Sequence, residues 1–173
     1  MDQTCSKCSF FVGVDPSFNG TAVVVLDENA NIAEQLLFQS VGESIEEKLW
    51  SINKALSFIP KIIGLKRVYL EGPSYSSNGA FQLQMGALHF MIRMMFFRKR
   101  LKYEIIAPGT LKKFVAGNGS AKKEHMLLNV YKKWGIEFQD NNLADAYGLA
   151  RMSYEGFKKW LTYIFWSVDE KIR

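Results

Sequence analysis

Two short apolar runs of strand-forming residues each end abruptly in a carboxylate. Residues 10–14 run directly into Asp15, and residues 68–70 run directly into Glu71. A third carboxylate, Asp145, lies within residues 143–150, which are otherwise apolar enough for a buried helix. A charge in such a place costs several kcal/mol unless it is paired or bound to a metal ion. The three carboxylates have no fixed basic partner in their local sequence, so together they indicate a divalent-cation site.

The order of apolar runs and helical patterns predicts a mixed sheet. Residues 10–14, 21–26 and 32–39 have the composition of three successive strands, and the turn-forming residues between them favour an antiparallel meander. Ser44 and Glu47 form a capping box at the start of a helix that ends before Pro60. Residues 67–71 and 102–106 predict two further strands, and helices are predicted from 81 to 98, from Pro108, from 121 to 134 and from 142 to 154. A right-handed crossover makes the fourth strand parallel to an earlier one. The predicted fold class is α/β, with a five-stranded sheet of three antiparallel strands followed by two parallel ones, flanked by helices.

Length and composition favour one folded domain. The chain has 173 residues, of which 48% are hydrophobic and 14% aromatic, which argues against disorder. We expect a polar N-terminal tail over residues 1–9 and a single domain over residues 10–173. The tail carries a lone Cys5/Cys8 pair, which we interpret as exposed and reduced, with a zinc site completed by a second chain as the alternative. Apolar residues spaced along 157–165 predict a C-terminal amphipathic helix, which either packs on the body or, through Lys158 and Lys159, extends a DNA surface.

No segment has the pattern of a signal peptide or a membrane helix. The longest apolar stretch, residues 85–97, contains His89 and Arg93 and is shorter than the roughly 20 residues that a membrane span needs. We therefore expect a soluble, cytoplasmic protein. The helix over residues 81–98 is apolar on nearly every side, which predicts a second buried surface and hence a homodimer. His89 would then lie in the core or the interface, and His125 in solvent.

Basic residues arrive in doublets along a chain of net charge +5 and pI about 9.1. Lys112 with Lys113, and Lys122 with Lys123, are two of these doublets. They favour a phosphate-rich partner, although solvated helix faces on an ordinary basic protein give the same composition.

Parallel pairing would bring two of the carboxylates together. If the first and fourth strands are neighbours, their carboxyl ends lie about 5 Å apart, so Asp15 and Glu71 meet at one edge of the sheet. Asp145, from the late helix, would complete the cluster. Like charges about 4 Å apart repel by about 4 kcal/mol at an effective dielectric of about 20, and Mg²⁺ or Mn²⁺ would offset this. All-carboxylate sites of this kind are typical of two-metal phosphodiester hydrolysis. Taken singly, Asp15 can be a turn residue and Glu71 a strand-end charge.

The ordered set of segments resembles the RuvC family of Holliday junction resolvases, in the RNase H-like superfamily, and particularly its compact phage-type members. The matching segments run from about residue 10 to 152 and include Gly13-Val14-Asp15-Pro16-Ser17, Asn19-Gly20-Thr21, Leu70-Glu71-Gly72-Pro73, Gly86-Ala87-Leu88, Ala107-Pro108-Gly109-Thr110, Gly117-Asn118-Gly119-Ser120 and Ala144-Asp145-Ala146-Tyr147-Gly148. No single segment is diagnostic, but their order along the chain is specific.

The resemblance implies an enzyme, a Mg²⁺-dependent homodimer that cuts four-way DNA junctions by paired symmetric nicks, with Mn²⁺ able to substitute and two ions per site. It gives metal-ligand roles to Asp15, Glu71 and Asp145. It also implies that Lys122 or Lys123 contacts phosphate at the cut strand, and we expect Lys112 and Lys113 to grip phosphates as well. The segment after Glu71, with Tyr75 and Phe81 as candidates, would probe the opened junction centre.

One position departs from the family pattern. The family usually has a fourth acidic ligand three residues before the last one, and this chain has Asn142 there. Asn142 can act as a neutral oxygen ligand, Asp140 can supply the missing carboxylate, or the copy is inactivated. Two other functions therefore stay open: a non-catalytic junction-binding protein, and another RNase H-like nuclease such as one acting on RNA–DNA hybrids. An actin-like sugar kinase, which Gly13 and Gly20 loosely suggest, needs a second lobe for which this chain has no room.

Overall fold

One five-stranded mixed sheet organises the chain. The computed structural model describes residues 8–73 and 78–172, with side chains described up to residue 159. The strands are β1 (Phe10–Asp15), β2 (Thr21–Leu26), β3 (Ile32–Phe38), β4 (Leu65–Glu71) and β5 (Tyr103–Ile106). Their order across the sheet is β3-β2-β1-β4-β5; β1 to β3 form an antiparallel meander, and β4 is parallel to both β1 and β5. The predicted fold class and topology are confirmed.

In the described part of the chain, five α-helices flank the sheet. They are α1 (Ile45–Leu56), α2 (Gly79–Arg98), α3 (Pro108–Ala116), α4 (Lys123–Trp134) and α5 (Asn141–Ile172), and a 3-10 turn (Ile59–Lys61) follows α1. The predicted capping box is present: Ser44 Oγ accepts from the Glu47 backbone N–H, and the Glu47 carboxylate accepts from the Ser44 N–H. Helix α2 starts two residues before the prediction because the Asn78 side chain caps it, accepting from the Phe81 N–H at 3.2 Å.

Helix α5 corrects the prediction that the last part of the chain forms two helices. It runs without a break for 32 residues, through Gly156. A glycine inside a helix lowers its stability by only about 1 kcal/mol. Gly156 therefore does not end the helix when residues before and after it pack against the sheet. Tyr154 and Phe157 provide that anchor, because both rings pack on Phe11 of β1 with ring centroids 5.3 Å away. Phe157 thus packs on the body as expected, whereas the side chains from residue 160 onward lie outside the described part.

The sheet is covered on both faces. Phe11 of β1 packs with α3, α4 and α5, and its neighbours Val12 and Val14 pack with α1 and α2 on the opposite face. This alternation follows from the pleat of the strand. Burial of nearly every residue of β1 and β2 makes them the centre of the fold.

Several smaller expectations concern single residues. His89 is buried, and its Nδ1 has no hydrogen-bond partner among the described residues. His125 is exposed, as predicted. Cys8 is half-buried, while Cys5 lies outside the described residues. Within the described ranges, every helix is too short or too polar to cross a bilayer.

Candidate metal centre

The ends of β1 and β4 bring Asp15 and Glu71 together. The two strands are parallel neighbours with Val14 paired to Leu70, so the next residue of each strand lies at the same edge of the sheet. Asp15 is only 6% exposed, and Glu71 is half-buried. The two carboxyl groups lie close enough that each shifts the pKa of the other.

Helix α5 reaches this edge because Gly13 of β1 has no side chain. A Cβ at Gly13 would overlap the carbonyl oxygen of Ala146 and the backbone nitrogen of Ala150, so the helix lies directly on the strand only over glycine. Gly148 allows a similar approach on another side, since a Cβ there would lie 2.8 Å from a methyl of Val115 in α3. The small residues of α5 therefore fix the helix where Asp145 faces the ends of β1 and β4.

Burial raises the pKa of all three carboxyl groups, and repulsion by neighbouring carboxylates adds to the rise at Asp15 and Asp145. For Asp15, burial first and then the charge of Glu71 and their shared hydrogen bond hold the pKa well above the usual 3.8. Burial, followed by the charge of Glu71, raises the pKa of Asp145 from 3.8 to about 7. Burial also raises the pKa of Glu71, against opposing effects from the hydrogen bond with Asp15 and from two lysines. A positive charge placed near these groups would stabilise their ionised forms and lower their pKa values.

Two lysines from different doublets supply part of that charge. Lys123, the first residue of α4, lowers the pKa of Asp15, Glu71 and Asp145, and Lys112 of α3 lowers that of Glu71 and Asp145. Lys122 is the exposed N-cap residue of α4, and Lys113 is exposed on α3. The sequence identified both doublets without resolving which member faces the carboxylates, because that depends on where α4 begins: at Lys123 instead of the predicted residue 121.

Asn142 lies against the turn between β1 and β2. Its Nδ2 is 2.5 Å from the position that a Cβ on Gly20 would take, so the amide occupies space that a glycine leaves open. The sequence contains both residues but no signal for this contact. Asp140 instead caps α5, with its Oδ1 accepting from the backbone N–H groups of Asn142 at 2.8 Å and Leu143 at 3.2 Å. Its charge still reaches Asp145, where it adds to the rise in pKa.

The two predicted aromatic probes have different outcomes. Phe81 lies in the first turn of α2 and is 44% exposed. Tyr75 lies outside the described residues.

The carboxylate and amide oxygens at this site suit a hard divalent cation, although their positions do not form a three-ligand metal site. Among the described residues, no three His, Cys, Asp or Glu side chains lie close enough to hold one ion. The carboxyl groups nevertheless interact through their charges, since Glu71 raises the pKa of both Asp15 and Asp145. One oxygen of Asp145, Oδ1, is buried with no hydrogen-bond partner in the described part of the chain. A buried unpartnered carboxylate oxygen beside two further carboxyl groups is chemically suited to Mg²⁺ or Mn²⁺, which prefer oxygen ligands.

Comparison with known proteins gives similarity in structure but not in sequence. No protein-family model and no curated protein matches the chain. Thermus thermophilus RuvC superposes with a TM-score of 0.68 at 17% identity, covering 88% of this chain and 96% of that one. The same bacterium's RuvC in complex with a Holliday junction substrate gives a TM-score of 0.69 at 18% identity over 82% of this chain and 90% of that one. The yeast mitochondrial Holliday junction resolvase Ydc2 gives 0.60 at 8% identity, with 88% of this chain and 83% of that one covered.

Each of the three superpositions covers more than four fifths of this chain and more than four fifths of the other protein. The chain therefore has the RNase H-like fold of the RuvC resolvases.

Proposed function

We propose that this protein is a metal-dependent, structure-specific DNA endonuclease that resolves four-way junctions. The observation that carries the proposal is the acidic cluster in which Asp15 and Glu71, at the carboxyl ends of two parallel strands, interact electrostatically with Asp145 of α5. It occurs on the fold of RuvC, one structure of which is a complex with a Holliday junction substrate, and of a yeast mitochondrial Holliday junction resolvase.

The acidic residues would hold Mg²⁺, or Mn²⁺ in its place, and two ions per site fit a phosphodiester hydrolase. Asp15, Glu71 and Asp145 would be the charged ligands, with Asn142 as a neutral oxygen ligand. Bound Mg²⁺ supplies a Lewis acid that polarises the scissile phosphate and makes a bound water a better nucleophile. A bound cation would favour the ionised forms of Asp15 and Glu71, whose pKa values burial raises, and burial of Asp15 limits access of bulk water to the site.

The lysines around the cluster would bind the DNA backbone. Lys112 and Lys123 are close enough to lower the pKa of Glu71 and Asp145. Phosphates bound by these lysines would therefore lie near the acidic cluster. Lys113 and Lys122 are exposed beside them and extend the same basic surface. Since each phosphate contact releases counterions, junction binding should weaken steeply with salt.

Paired symmetric nicks require two such sites, and helix α2 offers a surface for a homodimer. Leu83, Phe90 and Phe97 of α2 are 77%, 65% and 72% exposed, although the opposite side of the helix is buried in the core. Large apolar side chains exposed along one helix are typical of an interaction surface. A homodimer through α2 would give one active site for each of two opposed strands.

Incubation with a labelled immobile four-way junction and a matched linear duplex, in Mg²⁺, Mn²⁺ or EDTA, tests the proposal. We expect paired nicks in the junction alone, in either metal and not in EDTA. Asp15→Asn should abolish the nicks while junction binding persists. Glu46→Gln, which removes an exposed carboxylate from α1, is the matched control and should cut like the original protein. Nicking by Asp15→Asn at the control rate would exclude the carboxylate cluster as the active site.

A second candidate function follows from Asn142. If the amide at this position prevents productive metal binding, the protein binds junctions without cutting them. Tight binding without nicks in either metal, together with nicking by Asn142→Asp, would establish this binding-only form. A parallel panel with an RNA–DNA hybrid separates both candidates from a different RNase H-like nuclease.

A further inference from the structure

Strand β3 is one edge of the five-stranded sheet. It pairs with β2 and, within the described residues, with no other strand. Alternate backbone N–H and C=O groups of an edge strand point away from the sheet and can pair with another extended chain. We propose that β3 binds an extended peptide segment of a partner protein, which adds to the sheet as a further strand. This binding site is separate from the acidic cluster and goes beyond the proposed nuclease activity.

A cleft beside β3 would take the side chains of the added strand. Its volume is about 510 Å³, and it lies between one face of β3 and the end of α1. Glu34, Leu36 and Phe38 line it from the strand, at alternate positions that share one face. Ala55 of α1 and Phe58, just after α1, line the other side. Alternate residues of an added strand would face the same cleft, because directly opposite residues of paired strands lie on the same side of the sheet.

The edge of β3 and the cleft together fit an extended peptide better than a helix or a small apolar molecule. When a peptide adds to a sheet edge, backbone hydrogen bonds give affinity, and pockets for alternate side chains give specificity. A helix or a small apolar molecule would fill the cleft but would leave the backbone groups of the β3 edge without a strand to pair with.

Glu34 determines the charge that the peptide must carry. Among the residues that line the cleft it alone is charged, and it is exposed. A lysine or arginine directly opposite would attract it, whereas a carboxylate in that place would be repelled. Lys54 precedes Ala55 in the last turn of α1 but does not line the cleft. The sequence around β3 has the same sign as Glu34: no lysine or arginine occurs from residue 8 to residue 47, although the whole chain has a net charge of +5. This surface therefore suits a basic peptide and repels the DNA backbone.

The residues of the cleft also specify the pattern of the peptide. In antiparallel pairing, apolar residues opposite Phe38 and Leu36 are followed by a basic residue opposite Glu34, each separated by one residue that faces the other side of the sheet. Strand β3 itself has the sequence Ile-Ala-Glu-Gln-Leu-Leu-Phe, which contains no basic residue. The β3 strand of a second copy therefore lacks the required charge, and an inward charge on an edge strand opposes such self-pairing. A strand from a different protein is the occupant that fits.

Titration of the isotope-labelled protein with short peptides, followed by NMR without DNA or metal, tests the proposal. The probe is the acetylated and amidated peptide Ser-Val-Thr-Ile-Thr-Lys-Ser, in which Val, Ile and Lys share one face. At millimolar concentration it should shift the backbone amide signals of β3. The same peptide with Glu in place of Lys should bind about 2- to 30-fold more weakly, because attraction to Glu34 becomes repulsion. A fully N-methylated form of the Lys peptide keeps the side chains but has no backbone donors, so it should leave the β3 signals unchanged.

A charge reversal in β3 gives the decisive comparison. Glu34→Lys should reverse the preference, so that the Glu peptide binds more tightly than the Lys peptide. Because Glu34 is exposed, the change leaves the core intact. Glu137→Lys makes the same change of charge at an exposed position between α4 and α5, outside the cleft. This matched control should keep the preference for the Lys peptide.

Four results would overturn the peptide site. They are equal binding of the Lys and Glu peptides, an unchanged preference in Glu34→Lys, no shift of β3 signals with the Lys peptide, and shifts confined to the acidic ends of β1 and β4. Sedimentation of the protein without peptide tests the other occupant: a dimer that Glu34→Lys alters and Phe97→Asp does not would assign the β3 edge to a second copy and overturn the proposal as well. None of these measurements depends on junction cleavage, so the peptide site and the proposed nuclease can fail independently.

Discussion

Replacing Asp145 by asparagine should change how the stability of the metal-free protein depends on pH. Burial and the charge of Glu71 raise the pKa of Asp145 from 3.8 to about 7. The folded protein therefore binds a proton at Asp145 more tightly than the unfolded chain does. At about pH 2, well below 3.8, the group is protonated in both states, and the raised pKa has no effect on the free energy of unfolding. As pH rises toward 7, the unfolded chain ionises freely while the folded state resists, so stability falls.

The size of this effect follows from the shift in pKa. A rise from 3.8 to about 7 lowers the free energy of unfolding by about 4 kcal/mol at pH values above 7, since each pH unit is worth about 1.36 kcal/mol. Between pH 5 and pH 8 the metal-free protein should lose about 3 kcal/mol through this one group. Asp145→Asn has no titrating group at the position, and it also relieves repulsion on Asp15. The variant should therefore gain about 3 kcal/mol over the original protein across this pH range.

Urea unfolding in EDTA at pH 5, 6, 7 and 8, followed by tryptophan fluorescence, measures the difference. The new amide places donors where Asp145 Oδ1 has no partner, and an unpaired buried group costs about 1–3 kcal/mol. That cost is the same at every pH, so the change of the difference with pH, not its absolute value, is the test. Glu46→Gln should show no such trend. A constant difference between Asp145→Asn and the original protein from pH 5 to 8 would refute the raised pKa, and saturating Mg²⁺ should remove the trend by stabilising the ionised carboxylate.

Four further expectations concern single positions. Gly20→Ala should displace the Asn142 side chain and weaken Mg²⁺ binding, measured by calorimetric titration, as much as Asn142→Ala does. The double variant should bind Mg²⁺ no more weakly than either single variant, because both changes remove the same contact. Asn142→Asp should bind Mg²⁺ more tightly, yet unfold at lower urea in EDTA at pH 8, because it adds a like charge to the cluster. Phe97→Asp on the exposed side of α2 should shift a dimer toward monomer in sedimentation without loss of folded stability; an unchanged sedimentation profile would exclude that surface. Arg151→Met should lower the free energy of unfolding by about 1 kcal/mol in urea, because its guanidinium lies 5.1 Å from the Trp134 ring centroid.

The fold was predictable where the local sequence pattern and the rules for connecting strands indicated the same structure. The meander between β1 and β3 follows from strand-forming runs joined by turn residues, and β4 follows from the need of a right-handed crossover after α1. The continuity of α5 was not predictable, because it depends on Tyr154 and Phe157 meeting Phe11, which is more than 140 residues away in sequence. Local helix signals weaken at Gly156, and only the packing on β1 carries the helix through.

The candidate site was predictable in its acidic residues and not in its surroundings. Asp15 and Glu71 can be placed together from sequence because the carboxyl ends of parallel neighbouring strands meet at one edge. The contact of Gly20 with Asn142 depends on the distance between the β1–β2 turn and α5, which the sequence does not specify. The choice of Lys123 over Lys122 depends on the first residue of α4, and helix ends are the least certain part of any sequence-based assignment.

Asparagine at position 142 is physically consistent with the rest of the cluster. Repulsion by Glu71 already raises the pKa of Asp15 and of Asp145, and the charge of Asp140 adds to the rise at Asp145. Two like charges about 4 Å apart cost about 4 kcal/mol at an effective dielectric of about 20, and the nearby charges of Lys112 and Lys123 offset only part of this repulsion. A neutral oxygen at position 142 can serve a cation without adding to that repulsion when the cation is absent. The amide also fills the space above Gly20, so its shape and its neutrality both fit the fold that carries it.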